Sequence, residues 1–428
     1  MASNRIKPIV GIIHSDEESD SSESSLLAKY FGALLFLGEY SSVRITALPL
    51  NPKNKKNKSK NKTTEKNTSN EKQVSVLHIA TNKPKIVVES EDFQMKADIK
   101  DLKDCHVIIV CVNPTDTQQC AEILKKLPTK KTPVGIFSFQ YGCKNFDTLS
   151  GCLGTVDHLL FDGAVSFHIV KGLSDQVLRP LIKGQNLVLE RLTAEKAEFG
   201  SNYVNLLSTM EIPILFRKTL TPFTWGSMVF NCHTCLNALT GDPMKEFMSL
   251  RRNRLLYAQM IRECLAALRM AAAHGDWVPD GGACCPVTLA VLEQALCLPD
   301  FIYPIFAYFC LQCSTSDNGS SVQVDLHNGQ DTNGLWCMKQ LIDVGTKYKI
   351  KMSLCLLVYE EIEKAIKLKE GVPRIKTDAI IKILNKNDIV LLSTNQLIKS
   401  LLILFIIILG LWVLSFVVDV LLPRASGM

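Results

Sequence analysis

The sequence predicts an α/β chain: a parallel sheet with helices on its faces, then an all-helical domain, then a membrane-spanning helix. Three observations carry this. Short β-branched runs alternate with helical patterns up to about residue 194, the signature of a parallel sheet. From residue 195 onward long segments of helical periodicity dominate. Residues 401–422 are apolar with Asp419 as their one charge, and a helix of about 20 such residues spans a bilayer with its backbone polar groups satisfied internally.

The elements follow in order. Ile9 to Ile13 reads as a buried strand, Leu26 to Gly38 as a helix that Gly38 closes, and Val43 to Leu48 as a second strand. Further strands are expected at 74–80 and 86–89. Cys105 to Val112 has the continuous β-branched character of a strand buried on both faces. A helix over 115–127 and a strand over 133–139 complete the alternation. The helical domain, 195–370, takes its helices from 221–239, 250–273, 286–296, 335–348 and 353–367. Residues 371–396 read as a stalk and 397–423 as the anchor.

Length and composition set bounds. At 428 residues the chain holds two sizeable domains ahead of the anchor. Met1 to Pro8 is polar and the run after it is too short for a secretory signal. Lys382, Lys386 and Lys399 precede the apolar span and Arg424 follows it, which agrees with a cytosolic bulk. The expected location is a membrane, the endoplasmic reticulum rather than the mitochondrial outer membrane. In the cytosol the 15 cysteines stay reduced, as small packed groups. Cys232-x-x-Cys235 and Cys310-x-x-Cys313 lack a second pair for zinc. There is neither a Walker loop nor a basic aromatic pattern, so no nucleic acid is expected as a partner.

The net charge of +6 is unevenly placed. The loop 15–25 carries five carboxylates and no base, whereas 51–72 carries eight lysines. The acidic serines read as a solvated loop, with phosphorylation as a further use. The lysines read as a solvated loop, as an attractor for phosphate or an anionic membrane, or as a weak partner of the acidic run.

Several strings resemble the ketopantoate reductase family in the right order. They are Ile108 to Asn113, Ser138 to Gly142, Ser166 to Val170, Arg179 to Gly184, Trp225 to Asn231 with Leu236 to Gly241, and Ser320 to Asp325 with Thr332. The resemblance spans residues 5–368. It implies a Rossmann-like domain at 5–194, followed by a helical domain like the C-terminal one of phosphogluconate dehydrogenase. It also implies NADPH as cofactor, a 2-oxo acid such as 2-dehydropantoate as substrate, and a possible homodimer.

The same resemblance locates the site and its departures. Gly11 matches the first glycine of a cofactor loop, but the other glycines are missing and acidic serines stand in their place. Asn113, Gln140 and Gly142 stand at further cofactor positions, with Tyr141 between the last two. The proton-donating lysine is replaced by Ser227 and the glutamate by Asn333, whereas Asn231 is retained and Asn237 has a structural alternative. A neutral hydroxyl forgoes a general-acid contribution of about 10²–10⁴-fold. The first expectation is therefore a membrane-tethered, catalytically degenerate interaction or scaffold protein with an unidentified protein partner. An NADPH-dependent 2-oxo acid reductase is the alternative, and a nucleotide or metabolite sensor the second alternative.

Overall fold

The computed structural model describes residues 8–386 apart from 16–21, 39–41, 49–72, 79–82, 129–132, 155–157, 166–168, 172–175, 181–185, 193, 274, 276, 278, 280–286, 308–319, 328 and 330. The expected anchor, 397–423, and the Lys-rich run, 51–72, lie outside the described residues. Among the described residues no helix is long and apolar enough to cross a membrane. The chain divides into two compact units, Met1–Ser227 and Met228–Met428.

The first unit begins with β1 (Ile9–His14), α1 (Glu23–Leu37) and β2 (Ser42–Ala47), then β3 (Gln73–His78), β4 (Lys83–Val88) and β5 (Phe93–Gln94). It continues through β6 (Val107–Val110), α2 (Thr117–Leu124), β7 (Val134–Phe139), α3 (Asn145–Leu153) and β8 (His158–Val165). It is completed by β9 (Ile169–Lys171), β10 (Leu178–Pro180), β11 (Leu187–Glu190), α4 (Ala194–Ser208) and β12 (Ile214–Arg217). Eight strands form one sheet in the order β12-β11-β8-β7-β6-β1-β2-β5. Every pairing in it is parallel except β11 with β8.

Period-two alternation splits the core between the faces of this sheet. Ile12, Val107, Ile109 and Phe137 join a cluster with α1, whereas Ile13, Ile108, Val110 and Ile136 join one with Cys120, Ala121 and Leu124 of α2. Both β6 and β7 are buried along their whole length, as the apolar run at 107–112 predicts.

Two expectations need correction here. The strands at 74–80 and 86–89 do not extend the parallel sheet. They form an antiparallel hairpin, Gln73 opposite Val88, within a second sheet of order β4-β3-β10-β9. A connection of four residues, 79–82, is too short to cross over between parallel strands. The hairpin's Val74, Val76 and Val87 share a cluster with α1, which is why that helix is buried on nearly every side. The acidic run also does not stay a solvated loop to its end. Ser22 caps α1 by accepting from the Ser25 N–H, and Glu23, Ser24 and Ser25 form a buried first turn.

Beside the sheet, α4 and β12 belong to the first unit, although the sequence reading opens the helical domain at 195; β12 pairs with β11 from Leu187↔Ile214 to Glu190↔Arg217. Helix α5 (Thr221–Asn231) runs across the division. The expected single helix over 221–239 breaks at Cys232, whose N–H reaches the Val229 carbonyl, three residues back.

The second unit comprises α6 (His233–Thr240), α7 (Met244–Ser249), α8 (Arg251–Ala272), α9 (Leu289–Leu296), α10 (Tyr303–Phe306), α11 (Ser321–His327), α12 (Asn333–Lys347), α13 (Ser353–Leu368) and α14 (Thr377–Lys386). Helix α8 is its spine. Arg254, fully buried there, donates to the carbonyls of Met248, Ser249, Leu296 and Leu298 and pairs with Asp300. Glu263 accepts from the N–H groups of Leu354 and Cys355 and so caps α13 from outside. The expected stalk is in part a docked helix: Ile375 N–H donates to Leu239 O, Thr377 Oγ1 to Asn253 Oδ1 at 2.6 Å, and Ile380 and Leu384 are buried.

Candidate functional site

In open α/β sheets ligands sit outside the carboxyl ends of the strands. A cavity of about 260 Å³ lies there in the first unit. Ser138, Gln140 and residues 142–147, from the end of β7 and the turn after it, form one part of its wall; Asp162 and Gly163 of β8, Leu220, and Thr221, Thr224 and Trp225 of α5 complete it.

The floor is a chain of hydrogen bonds among buried side chains. Ser138 Oγ donates to Gln140 Oε1 at 3.0 Å. Gln140 Nε2 donates to Val112 O at 3.0 Å and to Thr117 Oγ1 at 2.8 Å. Thr117 Oγ1 donates to Asn145 Oδ1, and Asn145 Nδ2 donates to Tyr141 O at 2.8 Å. A buried network with each member partnered is rigid, because any broken link leaves a desolvated polar group. The turn above it is strained. Gly142 has φ 90°, and Lys144, at φ 66° and ψ 0°, holds a left-handed conformation that favours glycine. Cys143 between them is buried; burial pushes its thiol up to about 11, against a smaller opposing pull from Lys144.

Gln140 and Gly142, expected from the sequence, thus meet in one cavity, and Trp225 places the helix of Ser227 beside it. Ser227 does not extend a hydroxyl into the cavity: its Oγ donates to Thr224 O at 2.8 Å within its own helix. Asn231 ends α5 and Asn333 opens α12; neither lines the cavity. Asn237 is fully buried, donating to Asp242 O and accepting from the Ser320 N–H. Asn113 N–H donates to Ser15 Oγ at 2.9 Å, joining the end of β6 to the end of β1.

Gly11 stands in the strand that the sequence predicts over 9–13. It lies inside β1, paired with Arg44 and Ile108, not in the turn that follows. A Cβ there would come within 2.7 Å of Leu102 Cδ2 and 3.0 Å of Cys105 Sγ, so packing accounts for the glycine. The first turn of α1 offers a different contact for a cofactor. Ser24 Oγ is buried at that helix N-terminus and has no hydrogen-bond partner among the described residues. A phosphate oxygen would satisfy it, and a helix N-terminus favours anions, although Glu23 beside it opposes one.

The residues that sequence reasoning missed are Lys144, Asn145, Asp162, Thr221 and Thr224. Lys144 gave the one available signal, a cation two residues after a glycine turn at a strand end.

A parallel sheet with a polar cavity at its strand ends is thus joined in sequence to a helical unit. Residues 221–365 match the family model "Ketopantoate reductase PanE/ApbA C terminal". That segment is therefore similar to the C-terminal part of ketopantoate reductases, in agreement with the resemblance its sequence motifs carry. Among solved structures, a PanE/ApbA family ketopantoate reductase from Ralstonia eutropha JMP134 is similar at a TM-score of 0.57 and 16% identity, over 85% of this chain and 100% of that one. D-Mandelate dehydrogenase with NADH and anilino(oxo)acetate is similar at 0.56 and 11%, over 85% and 99%. A dimeric ketopantoate reductase from Staphylococcus aureus is similar at 0.52 and 11%, over 84% and 99%. These identities carry the fold alone. No curated protein matches the chain.

Proposed function

We propose that the protein is a nicotinamide-dependent reductase of a small 2-oxo acid. The observation that carries this reading is the polar cavity at the strand ends, with its buried Gln140 floor in the position where the fold class binds ligands. The dehydrogenase of the same fold that holds NADH with anilino(oxo)acetate supports the cofactor and substrate classes. Bound nicotinamide would supply the hydride. The chain's own residues would do the rest: Ser24 and the first-turn amides of α1 would hold phosphate, and Gln140 and Asn145 would keep the cavity floor fixed.

The reading extends to setting. Residues 397–423 would anchor the protein in a membrane, that of the endoplasmic reticulum by the length of the span, and leave the reductase in the cytosol. The dimeric relative supports a homodimer.

A second reading keeps the fold without the chemistry, as a tethered interaction protein with a protein partner. One observation favours it: the hydroxyl at the family's lysine position is committed to its own helix. Nucleotide binding by the full chain in detergent separates the two. A ligand at about 100 times its Kd raises stability by about 2.7 kcal/mol, so the reductase reading expects a clear thermal shift with NADPH. A shift with no nicotinamide nucleotide would leave the interaction protein, and a shift without turnover would mark a sensor.

A further inference from the structure

We propose that the exposed apolar surface formed by Leu250, Phe301, Pro304 and Ile305 rests in the interface of the bilayer that holds residues 397–423. Lipid contact at this face of the helical unit rests on the anchor reading above.

The surface starts from local backbone geometry. The N–H groups of Ile302 and Tyr303 donate to Pro299 O, and those of Ile305 and Phe306 donate to Ile302 O, so residues 299–306 wind into helical turns. Positions three and four apart share one side of such turns. Tyr303 and Phe306 are buried, whereas Phe301, Pro304 and Ile305 are exposed together, Phe301 at 76% and Ile305 at 58%.

Leu250, 40% exposed, joins them through Arg254. That guanidinium donates to Ser249 O at 2.8 Å and to Asp300 Oδ1 at 2.9 Å, which holds their neighbours Leu250 and Phe301 at one end of α8. The Tyr303 ring lies 4.1 Å from the same guanidinium, so the patch stands on a buried, fully bonded support. Clustered exposed apolar side chains of this kind mark a contact surface.

The course of the chain points to the occupant. Helix α14 starts at the same end of α8: Thr377 donates to Asn253, and Arg252 pairs with Asp378 at 3.3 Å. Residues 387–400 alone separate α14 from the apolar run 401–422. Even fully extended they reach at most about 50 Å, so the anchor tethers the part of the helical unit that carries the patch. The polar groups beside it suit a headgroup layer. Arg252 and Lys376 are exposed there, and the carboxylates Asp300 and Asp378 are each paired with an arginine. Aromatic and aliphatic side chains next to cations are the composition of a surface that lies on a membrane.

The test uses the full chain reconstituted in phosphatidylcholine–phosphatidylserine vesicles, with and without brominated acyl chains, which quench tryptophan by contact. Trp412 lies within the apolar run and reports on the anchor itself. Phe301→Trp in a Trp412→Phe background reports on the patch, and exchanging one exposed aromatic for another leaves the fold intact. Quenching is expected for both: wild type loses the emission of Trp412, and the double variant loses the emission that Phe301→Trp adds. Quenching through Trp412 with none of the emission added by Phe301→Trp would overturn the lipid contact and leave the anchor standing. If that added emission is shielded from aqueous iodide but not quenched by brominated lipid, in a chain that elutes as a dimer, the face belongs to a second copy and the proposal is likewise overturned. No bromolipid quenching in any variant would overturn anchor and patch together.

Discussion

Gln140 donates from Nε2 to Thr117 Oγ1 at 2.8 Å, and this bond ties the end of β7 to the start of α2 directly beneath the cavity. The same nitrogen reaches the Val112 carbonyl, so one side chain holds two strand ends in register. Gln140→Leu would strand that carbonyl and the Ser138 hydroxyl, which donates to Gln140 Oε1. A loss of about 2 kcal/mol in urea unfolding is expected, since a buried unpaired group costs about 1–3 kcal/mol. Ligand-induced thermal shifts should weaken with it.

Gly11 separates packing from phosphate binding. Gly11→Ala forces a Cβ against Leu102 and Cys105. Overpacking of this kind costs about 1–3 kcal/mol. At a temperature where the variant is folded, its NADPH affinity should match the wild type; a large loss of affinity without loss of stability would restore the glycine to the cofactor.

Arg254 tests the spine of the helical unit. Its guanidinium serves four carbonyls and Asp300 and lies 4.1 Å from the centre of the Tyr303 ring. Arg254→Met should cost about 3–5 kcal/mol, the range for breaking a buried charged network by removing one partner. Lysine should not rescue it, because one ammonium cannot reproduce the fork. Chemical denaturation checks both.

Glu263 makes stability depend on pH. Burial raises its carboxyl above the ordinary value of 4.5, against the opposing bonds from Cys355 and Leu354. A raised folded-state value means the native protein binds the proton more tightly than the unfolded chain. Stability from this group is therefore greatest below the unfolded value and is lost as pH rises through the folded one. Wild type should gain stability over Glu263→Gln as pH falls from 7 toward 4; a flat difference would contradict this.

The membrane reading has its own check. Residues 387–428 fused to a fluorescent protein should sediment with membranes and resist alkaline extraction. Recovery in the supernatant would remove the anchor.

Much of the fold was legible because it is written locally. The apolar run at 107–112 announces β6, and Leu26 to Leu37 is apolar on nearly every side of α1, Lys29 excepted, where two sheets cover it. The second sheet was not legible. It pairs Val76 with Leu178, and no local period records a partner so distant in the chain. The site divided in the same way. Gln140 and Gly142 were visible through a family motif, whereas Asp162 and Thr224 reach the cavity only through the fold. Gly11 also carries a packing constraint from Leu102, far along the chain and invisible to spacing. The stalk misled because Thr377 finds Asn253 across a similar distance.

Steady-state NADPH oxidation by the full-length protein, across a panel of 2-oxo acids that includes 2-dehydropantoate, tests the central claim most directly. Turnover of at least one acid, together with a thermal shift from NADPH, is the predicted result. No turnover of any acid, together with no thermal shift from NADPH, would contradict it.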